Sequence, residues 1–117
     1  MCRPPEPQRI DIEVIREKVK KGEFSYVGHA IVEARKDGIT PHDVRFVLLT
    51  GEIIEEYPER YRCLVYGVNQ DNIPVHVSCE YYDYLLDASE DILVVTVYVP
   101  NREKWIADRI RKRGERR

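Results

Sequence analysis

Arg62, Tyr66, His76, Ser78 and Tyr98 stand in three segments where apolar and polar residues alternate. In "YRCLVYGVN" (61–69) and "IPVHVSCEYY" (73–82), apolar side chains recur at every second position, which is the pattern of half-buried strands. "QDN" between them reads as a hairpin turn, because Asp and Asn tolerate left-handed backbone. A turn centred near Asp71 sets Tyr66 opposite His76, Leu64 opposite Ser78, and Arg62 opposite Glu80. "DILVVTVYV" (91–99) adds Thr96 and Tyr98 to the same face. An arginine, a histidine and two tyrosines on one sheet surface could bind a phosphodiester and move its proton. The plainer reading is the solvated side of an antiparallel sheet, which needs no function.

The opposite face must be the core. It should carry Tyr61, Cys63, Val65 and Gly67 against Ile73, Val75, Val77 and Cys79, joined by Leu93, Val95, Val97 and Val99. Three helical patterns precede the strands and supply its cover. "IDIEVIREKVKKG" spaces Ile12, Ile15 and Val19 for one helical face and stops at Gly22. "YVGHAIVEARKDG" predicts a second helix with Ala30, Ile31 and Ala34 as its buried stripe. "TPHDVRFVLLTG" predicts a third, with Thr40 as N-cap, Pro41 at the first helical position and Asp43 in the first turn. Its inward residues are Val44, Val47 and Leu48. "EIIEEY" (52–57) then opens the strand series and Pro58 ends it. A last helix is expected from Pro100 and Asn101, carrying Trp105, Ile106 and Ile110. The predicted class is α+β: N-terminal helices on one face of a four-stranded antiparallel meander, with a C-terminal helix.

Composition sets outer bounds. At 117 residues, 43% hydrophobic and 34% charged, the chain can bury a core as one globular domain. The expected division is a flexible leader at 1–9, a single domain at 10–110 and a basic tail at 111–117. Three cysteines without a CxxC fit a reducing cytoplasmic setting better than a disulfide framework. No membrane segment and no secretory signal is apparent. Cys63 and Cys79 share the core face but lack further ligands, so no metal or other cofactor is expected. Residues 101–117 hold eight Lys/Arg and three Asp/Glu, a balance of +5, against −7 for the first hundred. Such a tail can meet nucleic acid or an acidic partner, or simply complement a helix C-terminus.

"HAIVEARKDGIT", "DVRFVLLTGEIIEEYP", "RCLVYG", "IPVHVSC" and "ILVVTVYVPNREKW" follow one another in an order that resembles domain-of-unknown-function family 4258. The resemblance covers about Phe24 to Trp105. That family is similar to the BrnT and RelE-like toxins, small α+β proteins whose sheet face cleaves RNA without a metal. Carried over by motif, its recurrent polar positions fall on His29, Arg35, Tyr57, Arg62, His76 and Tyr98. Two features set this chain apart: a longer link at 80–91, with Tyr81, Tyr82 and Tyr84, and an acidic body.

The resemblance implies a metal-independent ribonuclease. Its chemistry needs a base for the 2′-hydroxyl, an acid for the leaving oxygen and a cation for the phosphate. His76 or His29 would supply the base or acid, since histidine titrates near neutrality. Arg62 and Arg35 would hold the phosphate, Tyr98 or Tyr66 would donate a proton or stack on a base, and Tyr57 would border the substrate. RNA and a cognate antitoxin are then the expected partners. The alternative is a non-catalytic interaction module that binds a partner or another copy of itself. The acidic body, the tyrosine-rich link and the cationic tail favour that class. The two classes separate on whether His76, Arg62 and Tyr98 line an open cleft or a covered one.

Overall fold

The computed structural model of the chain describes residues 10–81, 91–101, 105–106 and 109–111. The expected leader at 1–9, Tyr82 and Tyr84 of the link, and the basic tail after Arg111 lie outside the described residues. Three helices come first: α1 (Ile12–Lys20), α2 (Ala30–Lys36) and α3 (Pro41–Thr50). Asp11 caps α1 by accepting from the Glu13 amide, and Gly22 follows its end with φ +74°, a backbone that favours glycine. α3 starts on a full capping box. Thr40 Oγ1 accepts from the Asp43 amide at 3.1 Å, and Asp43 accepts from the Thr40 amide at 2.9 Å.

Five strands form one sheet: β1 (Phe24–Tyr26), β2 (Glu52–Tyr57), β3 (Arg62–Val68), β4 (Pro74–Glu80) and β5 (Ile92–Tyr98). Their order is β1-β5-β4-β3-β2. β2 through β5 pair antiparallel, as expected, whereas β1 pairs parallel to β5, with Phe24 beside Ile92 and Tyr26 beside Val94. The expected four-stranded meander is therefore a five-stranded mixed sheet. The added strand takes Tyr26, which the sequence pattern had placed at the start of the second helix. The β3–β4 register matches the expected one throughout, from Arg62 with Glu80 to Val68 with Pro74. Its turn closes on Asn69, whose side-chain Oδ1 accepts from the amides of Asp71 and Ile73, both at 2.9 Å. Asn72 takes the left-handed position at φ 65°.

Ile15, Val19, Ala30, Ala34, Val44, Val47 and Leu48 bring the helices onto Cys63, Val65, Val75, Val77 and Cys79. Ile31, expected in the stripe, is only half-buried. On β5 the buried residues are Ile92, Val94 and Val97, not Leu93 and Val95. A bulge explains the change. Ser78 pairs with Thr96, but Cys79 pairs with Val94, so Val95 is the extra residue and parity inverts before it. The expected C-terminal helix is replaced by a small antiparallel ribbon, β6 (Trp105–Ile106) with β7 (Ile110–Arg111). Among the described residues no helix is long and apolar enough to cross a membrane.

Cys63 and Cys79 face each other across β3 and β4, both buried. The hydrogen bond that the Cys79 thiol donates to Cys63, reinforced by burial, holds it well above its ordinary range. Below about pH 8.5 both folded and unfolded chains keep the proton, so no stability is lost there. Above it the unfolded thiol ionises and the folded one does not, so stability must fall with rising pH. The limiting slope is about 1.4 kcal/mol per pH unit for one thiol. Urea midpoints at neutral and alkaline pH should show this fall, and Cys79→Ala should flatten it. An unchanged slope in that variant would remove the thiol as its cause.

Candidate functional site

The strand pairing lines up four residues across the face opposite the helices: Glu52 on β2, Tyr66 on β3, His76 on β4 and Tyr98 on β5. The three rings pack edge to face. Tyr66 and His76 have centroids 5.9 Å apart, and His76 and Tyr98 are 5.2 Å apart. His76 Nδ1 lies 3.2 Å from the Tyr98 hydroxyl. The histidine is 0% exposed, and Leu64 on the same face is 4% exposed. Neither side chain belongs to the core packed by the helices. The middle of this face, at His76 and Leu64, is therefore covered, while Tyr66, Tyr98, Arg62 and Glu80 around it are half-buried.

The ribbon reaches over it with two arginines. Arg109 pairs with Glu52, and its guanidinium carbon stands 4.9 Å from the centre of the Tyr66 ring. Arg111 grips Glu55 twice, Nη2 to Oε1 at 3.1 Å and Nε to Oε2 at 3.4 Å. Burial works against the charge of Arg111, but the Glu55 carboxylate outweighs it and the guanidinium is held above its usual range; Tyr57 and Tyr98 lie close enough to add to this. Tyr57 donates to Glu55 at 2.6 Å. Burial, then that bond to a carboxylate, raises the Tyr57 hydroxyl above the ordinary tyrosine range. An open groove of about 350 Å³ runs beside Arg109, between Glu52, Tyr66 and the α3 end at Thr50 and Gly51. That is the low end of small-ligand pockets (roughly 300–1,000 Å³).

The expected site residues divide into three groups. His76, Tyr66 and Tyr98 come together as one packed row. Arg62 shares the face but pairs with Glu80, and its buried Nε finds no acceptor among the described residues. Tyr57, the register partner of Arg62, turns instead to Glu55. His29 and Arg35 do not join them. They lie exposed at the start and end of α2, whose Ala30 and Ala34 pack into the core on the other side of the sheet. His29 makes no side-chain cap bond, and Glu33 pairs with Lys36 rather than with His29.

Sequence reasoning missed four residues of the site: Glu52, Glu55, Arg109 and Arg111. In a regular strand, residues three apart point to opposite faces. β2 is not regular. Ile53 pairs with Val65 but Glu55 pairs with Leu64, so a bulge at Ile54 returns Glu55 to the side of Glu52. The opposite charges of "EIIEEY" and "RIR" were the only signal available, and charge alone does not give facing.

As it stands, the face has few of the marks of an RNA groove. Its three described arginines, Arg62, Arg109 and Arg111, are each matched by a glutamate. The histidine that would move a proton is fully buried. Among the described residues no three His, Cys, Asp or Glu cluster as a metal set. Neither a curated protein nor a solved structure matches the chain. A family model described as "Domain of unknown function (DUF4258)" matches residues 26–99, from β1 through β5 and short of the ribbon. That stretch is more than half of the chain, and the protein belongs to the DUF4258 family.

Proposed function

We propose that this chain is a protein-interaction module of the toxin-like α+β class, acting through its polar sheet face and without catalysis. The observation that carries the reading is the complete burial of His76, on a face whose described arginines are each paired with a glutamate. A catalyst for RNA must expose its proton donor and leave a cation free for phosphate. A docking face has the opposite need. It holds paired charges at a rim around aromatic residues, which is the arrangement of Glu52, Glu55, Tyr66 and Tyr98. The test is direct. Purified chain incubated with a mixed-sequence RNA, with and without a divalent chelator, should leave it intact. Cleavage by the parent chain that vanishes in His76→Phe would overturn the module.

One observation favours a second reading, a metal-independent ribonuclease. The 3.2 Å contact between His76 Nδ1 and the Tyr98 hydroxyl is the kind of acid–base pair such cleavage uses. In that reading His76 and Tyr98 carry the proton transfers and Arg62 meets the phosphate once it leaves Glu80. His29 and Arg35, on the far side of the sheet, take no part in the chemistry. The antitoxin would then be a protein that holds the ribbon closed.

A further inference from the structure

The geometry points to β2 as an arginine-reading site whose ligand is an Arg-x-Arg turn segment of a partner protein, with the chain's own ribbon filling it in cis. This names the partner of the module reading and rests on it. The bulge at Ile54 sets Glu52 and Glu55 opposite Tyr66 and Leu64, two positions apart on β3. In a strand that spacing is roughly 6.6 Å. Arg109 and Arg111 are also two positions apart in sequence, Arg109 in the turn that precedes β7 and Arg111 on β7. The match is one to one: Arg109 meets Glu52 and Arg111 meets Glu55.

Each carboxylate is prepared for a guanidinium in particular. Glu55 presents both oxygens to Arg111 and is oriented by the Tyr57 hydroxyl at 2.6 Å. Glu52 is paired with the Tyr66 ring, over which the Arg109 guanidinium lies. Bidentate bonding and flat stacking are what arginine has and lysine lacks. The cis occupant is held firmly at Arg111 but weakly at its Arg109 end. β6 and β7 are two residues each and pair only with one another, and so short a ribbon has little stability of its own. The side chains of Arg109 and Glu52 are 52% and 51% exposed, and exposed ion pairs are weak and screened by salt. The charge balance fits as well: residues 101–117 carry +5 and the first hundred −7.

The experiment uses the full chain and a labelled synthetic peptide, "NREKWIADRIRKRGERR", read by fluorescence anisotropy. Arg109→Ala/Arg111→Ala should vacate the site, and this variant should bind the peptide at least about ten-fold tighter than the parent, which competes in cis. Adding Glu52→Gln/Glu55→Gln to the vacated chain should cost about ten-fold or more. A peptide with lysine at both positions should bind more weakly, and about 0.5 M salt should weaken all binding. A vacated chain that keeps its cooperative thermal transition but does not bind the peptide overturns the proposal. So does binding that ignores the two Glu→Gln changes. A parent chain that light scattering shows to be a dimer, with the Arg109→Ala/Arg111→Ala chain monomeric, would make a second copy the occupant and also overturn it. RNA cleavage by the parent would instead sink the module reading itself, so the two failures are distinct.

Discussion

Gly51→Ala is expected to lower stability by about 3 kcal/mol, one of the largest single-atom-group effects available in this chain. Gly51 follows α3, and its amide donates to the Val47 carbonyl at 2.7 Å. A methyl group there would stand 2.6 Å from that carbonyl oxygen and closer still to the Tyr66 carbonyl oxygen. Both obstacles are backbone, so no rotamer change relieves them. Either α3 or β3 must move, and β3 is the strand that carries Tyr66 and Arg62. Gly67 is the contrast. A methyl group on it would lie 2.9 Å from Val47 Cγ1, a buried and stiff side-chain atom that must shift, but no backbone atom comes closer than 3.4 Å. Gly67→Ala should therefore be the milder of the two. Thermal melts check the pair: Gly51→Ala should fall by more than about 10 °C. A fall within a few degrees of parent would mean that α3 is not fixed against β3 as described.

His76→Ala should cost about 3 kcal/mol, because it empties a fully buried site between two aromatic rings. It also removes the hydrogen bond with Tyr98. His76→Phe should stay within about 1.5 kcal/mol of the parent, since a ring of similar size keeps the contacts to Tyr66 and Tyr98. The pair separates structure from chemistry. If the face only docks a partner, the Phe variant binds the tail peptide as well as a histidine-containing chain. If the face cleaves RNA, the Phe variant is folded and inactive. Urea unfolding and the RNA assay on the same samples read both.

The β3–β4 hairpin was legible because its turn residues and its alternation agree on one register, down to Tyr66 against His76. α3 was legible because Thr40, Pro41 and Asp43 each carry a local signal for the same helix start. β5 was not. Nearly every residue from Ile92 to Val99 is apolar, so inserting Val95 as a bulge leaves the pattern unchanged while exchanging the faces of Leu93 and Val94. β1 was hidden by length: three residues give no period, and its partner lies at the far end of the domain. The C-terminal ribbon defeated a helical reading of Trp105, Ile106 and Ile110 through tertiary contacts. Arg109 and Arg111 reach the face from the turn and second strand of a short ribbon that local propensity does not encode. For the site, residue chemistry correctly grouped Tyr66, His76 and Tyr98. It also drew in His29 and Arg35, which similarity of type could not place on the wrong side of the sheet.

The parallel pairing of β1 with β5 sets an order on assembly. The β3–β4 hairpin closes over a handful of residues, so it can form early at small entropic cost. β1 has no sheet to join until β5 has docked on β4, and its contact with β5 spans most of the described chain. Pairing at such a distance comes late in folding and contributes most to a slow rate. The same strand is three residues long and at the sheet edge. Hydrogen exchange should therefore see the amides of β1 open first, while those of β3 and β4 persist until global unfolding.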